Sequence, residues 1–181
     1  LKVSLIWAQD KNGLIGIDDS LPWDIPEDLK RFKEKTTNKM VVMSSRTFAS
    51  IGKPLPNRTN IVLSNKSTSI PGFPNVKVLT FAGFKRYVKD NDSKTEIMVI
   101  GGAEIYKLFL PFATKLYVTK VGIDALQFNK QASKNTSYLS NHLVYFPEID
   151  FSNYVCSSYT FNKRGSETKI PFTFEQYKRK R

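Results

Sequence analysis

A single cysteine, Cys156, and a single histidine, His142, occur in a chain of 181 residues. One thiol cannot form an internal disulfide, and the pair is too small for a Cys/His zinc site, so no metal is expected. A Ser-His-Asp or Cys-His catalytic pair would have to use these two residues, and neither sits in a nucleophile-elbow context. Cys156 is expected as a small core hydrophobe and His142 as a loop residue. Long apolar runs are lacking too. None approaches the roughly 18 residues a membrane span requires, and no charged-then-apolar leader precedes the first strand pattern, so a soluble, cytoplasmic protein without a membrane partner is expected. Acidic residues are few, 16 against 28 Lys and Arg, for a formal net charge of +12. That balance favours anionic partners such as nucleotide phosphates, carboxylated metabolites or nucleic acid. The basic run Lys178 to Arg181 reads as a solvated end, because no zinc finger, helix-turn-helix or RNA-binding aromatic motif accompanies it. Chemistry must come from carboxylates, hydroxyls, basic groups or a cofactor.

What the chain does contain is ordinary globular material, 40% hydrophobic and 13% aromatic, of a size for one domain spanning 1–181. Val3 to Gln9 is a continuous apolar run of the kind buried on both faces of a sheet. Asp10 to Trp23 reads as a loop, long enough to cover something. A helix is predicted over Ile25 to Lys35, and strands over Lys39 to Ser44, Asn60 to Ser64, Val76 to Phe81, Glu96 to Ile100 and Leu116 to Ile123. Further helices are predicted over Arg46 to Ser50, Ala82 to Lys89 and Ala103 to Leu110. Asp124 to Leu143 lacks periodicity and reads as an inserted polar loop. Tyr154 to Phe161 and Pro171 to Tyr177, joined by a turn around Asn162 to Glu167, read as an antiparallel pair. Alternating strands and helices predict a single α/β domain with a central, mostly parallel twisted sheet, flanking helices and an antiparallel C-terminal edge.

In the stretch Leu21 to Phe32, a lone carboxylate, Asp28, stands among apolar residues. Pro26 suits the first helical turn, and Glu27 and Asp28 suit the positive end of the helix dipole. Asp28 shares a face with Phe32 four residues on, with Leu29 beside it. If that face lines a cavity, desolvation raises the Asp28 pKa unless a ligand meets it; otherwise Asp28 only complements the dipole in solvent. Ser44 and Ser45 are good caps for a short helix whose free N–H groups would face an anion. Arg58, among turn prolines, either grips a carboxylate or is a plain exposed cation. Gly101-Gly102, between a strand and a helix start, suits close backbone approach to a pyrophosphate, or simply tight packing. Thr119 is the polar residue of its strand expected to face a site. In open sheets of this type, ligands bind at the carboxyl ends of the strands.

The ordered set SLIWAQ, GLIGIDDSLPWDIPEDLKRFK, VVM, SIGKPLPNRTNIVLS, EIMVIGGAEIY, LYVT and YFPEID resembles the dihydrofolate reductase family over about Val3 to Val121, resuming at Tyr145. The resemblance implies reduction of 7,8-dihydrofolate to tetrahydrofolate by NADPH, in a monomer whose small-molecule partners are dihydrofolate and antifolate inhibitors. By it, Asp28 is the acid that binds the pterin ring and supports N5 protonation, with Thr119 touching the pterin. Ile6, Ala8, Leu29, Phe32, Ile51, Leu55 and Ile100 line the substrate pocket, and Arg58 holds the α-carboxylate of the glutamate tail. Asp10 to Trp23 is the mobile loop over the nicotinamide, with Ile15, Gly16, Leu21 and Trp23 nearest the chemistry. Gly101 and Gly102 form a cis-linked pair beside the cofactor diphosphate. Ala8, Ile15, Gly16, Ser45, Arg46, Thr47, Leu63, Ser64, Asn65, Lys66, Gly101, Gly102, Ala103, Glu104, Ile105 and Tyr106 are the cofactor contacts that follow.

The chain departs from the family pattern twice. Ser44-Ser45 replaces Gly-Arg, leaving Arg46, Ser64, Asn65 and Lys66 to share the adenosine 2′-phosphate. A longer polar segment, Gly122 to Leu143, replaces a short loop that contacts the nicotinamide loop, so closure and product release are expected to differ. Two other readings fit parts of the sequence: a reductase of the same fold acting on a ribosylaminopyrimidine, and a basic nucleic-acid-binding protein on a reductase fold. Asp28 with Arg58 opposes the first, and the retained Trp23, Thr119 and Gly101-Gly102 oppose the second.

Overall fold

The apolar run Val3 to Gln9 forms β1 (Val3–Gln9), and this strand is shared by the two compact units into which the chain divides. The computed structural model describes residues 2–18, 20–21, 23–91, 94–132, 142–162 and 170–181, without the side chains of 129–132. One unit comprises Leu1–Ile6 with Lys33–Thr114, and the other Trp7–Phe32 with Lys115–Arg181.

In the first unit, β3 (Met40–Ser44), β4 (Thr59–Leu63), β5 (Lys77–Leu79) and β6 (Ile97–Gly101) join the start of β1 in the order β5-β4-β3-β6-β1. Every pairing there is parallel. Their near-continuous apolar composition is what two covered faces demand, and Val41, Val42, Met43, Ile61, Val62, Ile97, Met98 and Val99 are all at 0% exposure. Burying each such side chain contributes about 1.5–3 kcal/mol, so a single charge at Val42 would be enough to undo this layer.

Helix α2 (Ser45–Ile51) starts where Ser44 accepts a bond from the Thr47 N–H, and it stops at Gly52, whose φ of 84° is open to glycine. Thr80 caps α3 (Phe81–Asp90) in the same way, through the Gly83 N–H. Helix α4 (Ala103–Phe109) follows β6 directly. The β3/β6 register slips between Val42 and Met43, so that Met43 pairs with Gly101.

In the second unit, β7 (Lys115–Val121), β9 (Tyr154–Asn162) and β10 (Phe172–Arg179) pair antiparallel in the order β7-β10-β9. The expected antiparallel close of the chain is therefore present. Helix α1 (Pro26–Thr36) begins here, one residue after the predicted start, with Pro26 in its first turn as expected. Leu14, Ile17, Trp23, Ile25, Val121, Ala125 and Phe172 form a buried cluster, and Trp7 stacks on Phe146 with centroids 3.7 Å apart.

Three expectations are corrected. The stretch Asp10 to Trp23 is not all loop: β2 (Leu14–Ile17) pairs antiparallel with β8 (Leu143–Tyr145). Within Asp124 to Leu143, residues Ala125–Ala132 form α5, and positions 133–141 lie outside the described residues. The helix is begun by a cap rather than by periodicity, since Asp124 Oδ1 accepts from the N–H groups of Leu126 at 3.1 Å and Gln127 at 3.2 Å. Cys156 is exposed, because β9 is an edge strand whose side chains beyond Tyr154 are uncovered on both faces. His142 is an exposed residue outside helix and strand, as expected; most of the expected turn at Asn162 to Glu167 lies outside the described residues.

Candidate active site

Helix α1 lifts Asp28 from the first turn toward β7. There the Thr119 hydroxyl, 2% exposed, donates to Asp28 Oδ1 at 2.5 Å. Desolvation by burial raises the Asp28 pKa above its ordinary value, opposed by the Thr119 bond and then by the charge of Arg31. Asp28 is therefore no mere dipole complement. Arg31, one turn along the same helix, places Nη1 3.5 Å from Thr119 Oγ1 and Nη2 3.5 Å from the Glu175 carbonyl. Its guanidinium lies 4.6 Å from the Phe174 ring centroid. Sequence reasoning missed Arg31, although it stands three residues from Asp28, the other spacing that puts two residues on one helix face.

The same unit holds Ala8, Ile15, Gly16, Leu21, Trp23, Leu29 and Phe32. Trp23 is buried, and its indole N–H meets no acceptor among the described residues. Leu29 at 61% and Leu21 at 47% exposure present apolar side chains unused by the core. The segment carrying Ile15 and Gly16 is tied down. Asp10 Oδ1 accepts from Asn12 N at 2.7 Å and Leu14 N at 2.9 Å, while Oδ2 accepts from Ala125 N at 3.0 Å, the first residue of α5. At the far end, Asp18 and His142 exchange bonds of 3.0 Å and 2.9 Å.

The first unit gathers the remaining candidates. Ser44 and Leu63 are register partners at the carboxyl ends of β3 and β4, and Gly101 ends β6. Ser45, Arg46 and Thr47 form the first turn of α2. A Cβ built on Gly101 would lie 3.5 Å from Thr47 Oγ1 and 3.5 Å from the Tyr106 hydroxyl, so the two chain turns meet. Space alone would admit a methyl there; the φ of 129° is what favours glycine. The Gly101-Gly102 peptide is cis. Gly102 caps α4 without a side-chain hydrogen bond, so the cap itself occupies none of the first N–H groups of the helix. Ile105, Tyr106 and Leu63 bury their side chains, and the Tyr106 hydroxyl donates to the Ile6 carbonyl at 2.7 Å. The Ser64 hydroxyl is spent on its own turn, accepting from Lys66 N at 3.1 Å and Ser67 N at 3.2 Å, which presents Asn65 and Lys66 to solvent.

Arg58 is neither loose nor neutralised. Its Nε donates to the Pro56 carbonyl at 2.8 Å and Nη1 to Thr36 Oγ1 at 3.1 Å, and among the described residues no carboxylate pairs with it. Asn60, 7% exposed, braces that turn by bonds to both backbone groups of Leu55 and to the Arg58 carbonyl. Sequence reading placed Asn60 in the strand and missed this second duty. Ile51, 36% exposed, half-buried Leu55 and half-buried Ile100 are the apolar candidates of this unit. No group of His, Cys, Asp and Glu able to hold a metal occurs among the described residues, and no helix there is long and apolar enough to cross a membrane.

Comparison with known proteins gives the family. The family profile described as dihydrofolate reductase matches residues 2–179. The dihydrofolate reductase of Bacillus subtilis is 33% identical over 178 residues, covering 98% of this chain and 95% of that one. That of Haemophilus influenzae is 46% identical over 118 residues, 65% of this chain and 71% of that enzyme. Among solved structures, a dihydrofolate reductase from Enterococcus faecalis, complexed with NADP(H) and RAB-propyl, aligns with a TM-score of 0.80 at 30% identity, over 99% of this chain and 97% of the other. By fold, by the constellation at the strand ends and by these likenesses, the chain belongs to the dihydrofolate reductase family.

Proposed function

We propose that this chain reduces 7,8-dihydrofolate to 5,6,7,8-tetrahydrofolate at the expense of NADPH, as a single-domain cytoplasmic monomer open to antifolate inhibitors. The observation that carries the assignment of roles is the half-buried Asp28, hydrogen-bonded to Thr119 and raised in pKa by desolvation. An acid in that state has one oxygen engaged by protein and the other left for the amide-like edge of a pterin. It can hold a proton closer to neutral pH than an ordinary aspartate, which suits it to support protonation at N5 of the substrate. The Thr119 hydroxyl fixes the orientation of that carboxyl group. Trp23 brings a buried indole N–H to the same unit, and Ile6, Ala8, Leu29, Phe32, Ile51, Leu55 and Ile100 supply apolar surface for the rings.

NADPH, when bound, supplies the hydride, since no side chain can. The residues present fit it. Gly101 and Gly102, whose lack of side chains lets backbone come close, would lie beside the diphosphate, as the family resemblance implies. Arg46, Asn65 and Lys66, exposed at the ends of β3 and β4, suit the 2′-phosphate that the missing Arg at position 45 would otherwise hold. Ser64 serves indirectly, by shaping the turn that displays Asn65 and Lys66. Ile15 and Gly16, with Leu21, exclude water from the reacting rings. Arg58, braced by Pro56, Thr36 and Asn60, receives the α-carboxylate of the glutamate tail.

The test is NADPH oxidation in the presence of dihydrofolate by the native chain and by Asp28→Asn. The variant is expected to lose about 10²–10⁴-fold in turnover. An unimpaired variant would refute the role given to Asp28, and a native chain without turnover would refute the activity.

A further inference from the structure

Arg31 is a long, charged side chain that a surface helix would ordinarily leave in water. Here it folds inward instead, 4.6 Å from the Phe174 ring centroid and 5.8 Å from that of Tyr117, with donors 3.5 Å from Thr119 Oγ1 and from the Glu175 carbonyl. Contact with two aromatic rings holds the planar guanidinium, and its charge, in this place. The roles proposed for Asp28, Thr119 and Arg58 do not call for a cation at this point.

The hydrogen-bond directions say what it does. Arginine only donates, so its contact occupies a lone pair on the Thr119 hydroxyl. The proton of that hydroxyl is then free to point at Asp28 Oδ1, 2.5 Å away. The cation also polarises the hydroxyl and strengthens the bond it gives. We propose that Arg31 is a positioning residue: through Thr119 it orients the Asp28 carboxyl group and sets the pH at which that group changes charge. The proposal rests on Asp28 being the pterin-binding acid.

The surrounding charges leave that assignment to Arg31. On α1, Glu27 lies beside Asp28 in the chain, and Lys30 is exposed. On β7, Tyr117 shares the face of Thr119, while Lys120 alternates to the other. On β10, Glu175 directs its carboxylate to Thr173, Tyr177 and Lys120, and gives Arg31 only its backbone carbonyl. Burial lowers the Arg31 pKa, opposed by Asp28 and Tyr117, in keeping with a cation held out of water by its partners. With Arg31 removed, desolvation of Asp28 stands less opposed and its proton is held to higher pH.

The experiment follows the Asp28 carboxyl signal by carbon NMR through a pH titration of the full chain, assigned with Asp28→Asn. Arg31→Met, Arg31→Gln and Arg31→Lys are compared with the native protein, together with the pH profile of single-turnover hydride transfer. Met and Gln are expected to raise the protonated-to-ionised ratio of Asp28 at fixed pH by about three- to tenfold, with the rate profile moving upward in step. Lys is expected to restore most of the titration through its charge. Gln keeps a donor near Thr119, so a folded uncharged variant is at hand if Met disturbs packing. A titration unmoved in the folded uncharged variant, or moved equally in Lys, would overturn the proposal. The titration reads Asp28 whether or not Asp28 serves catalysis, so failure here is distinct from an active Asp28→Asn.

Discussion

Replacing Arg58 by Leu separates a substrate contact from a structural one. The guanidinium already donates to the Pro56 carbonyl at 2.8 Å and to Thr36 Oγ1 at 3.1 Å, which spends two of its five N–H donors and leaves three for a ligand. A carboxylate on two of these would make two charge-assisted bonds, each worth about 1.5–3 kcal/mol net when well shielded. Arg58 is only half-buried, so solvent screening brings the pair to about 2–3 kcal/mol in all. That corresponds to roughly 30- to 150-fold in affinity. The tail carboxylate is remote from the reacting ring, so the loss should fall on KM for dihydrofolate, with kcat within about threefold of native. Steady-state kinetics with dihydrofolate and with a dihydropterin lacking the glutamate tail would read this directly. The tail-less substrate should be indifferent to the change. An unchanged KM, or the same loss with both substrates, would refute the reasoning. Because Thr36 is at 0% exposure, its lost contact should also lower Tm by a few degrees, which thermal melts would report separately.

Asp28→Asn should raise Tm at neutral pH while lowering activity. The folded-state pKa lies above the ordinary 3.8, so the unfolded chain ionises first, stability falls as pH rises from about 3.8 through the folded pKa, and the penalty then stays constant. The neutral variant escapes it, and melts at pH 3 and pH 7 should show the advantage only at the higher pH. Gly101→Ala imposes a side chain at φ 129° and should cost about 1–3 kcal/mol by denaturant titration, with weaker NADPH binding. An unaltered midpoint would show that the backbone there adapts. Asp10→Asn replaces an acceptor that holds three backbone N–H groups by one that must turn its NH₂ toward at least one of them. It should cost about 2–3 kcal/mol and speed hydrogen exchange at Asn12, Leu14 and Ala125; unchanged exchange would exclude the clamp.

The parts read correctly from sequence are those fixed by local chemistry. Pro26 with Glu27 marked the helix start, and Ser44 the cap of α2. Fully apolar runs such as MVVM marked the buried parallel strands. What escaped depends on partners far along the chain. Strand β2 exists because Leu14 and Ile17 find Tyr145 and Leu143, and nothing in the four residues themselves announces it. Helix α5 depends on Asp124 and on the distant Asp10. Cys156, expected in the core as a small hydrophobe, stands exposed on β9, where the side chains from Val155 to Phe161 are all exposed. Among the candidate site residues, Asp28, Arg58 and the glycine pair were recognisable as residue types in context. Arg31 and Asn60 were not, because their importance lies in where a flexible or amphipathic side chain turns, and that direction is set by Thr119, Phe174 and the Leu55 turn.

The clamp at Asp10 also bears on how such a chain can change over time. It fixes the entry to α5 at Ala125, and the Asp18–His142 exchange fixes the return. Closure entropy in general rises only slowly with the length of a connection, about 0.6 kcal/mol per doubling, so a change in length between two fixed anchors costs little. Insertions and deletions can therefore accumulate there while the entry and return stay pinned. The segment is a module bounded by two carboxylates, and divergence in length among relatives should concentrate between them rather than in the strands on either side.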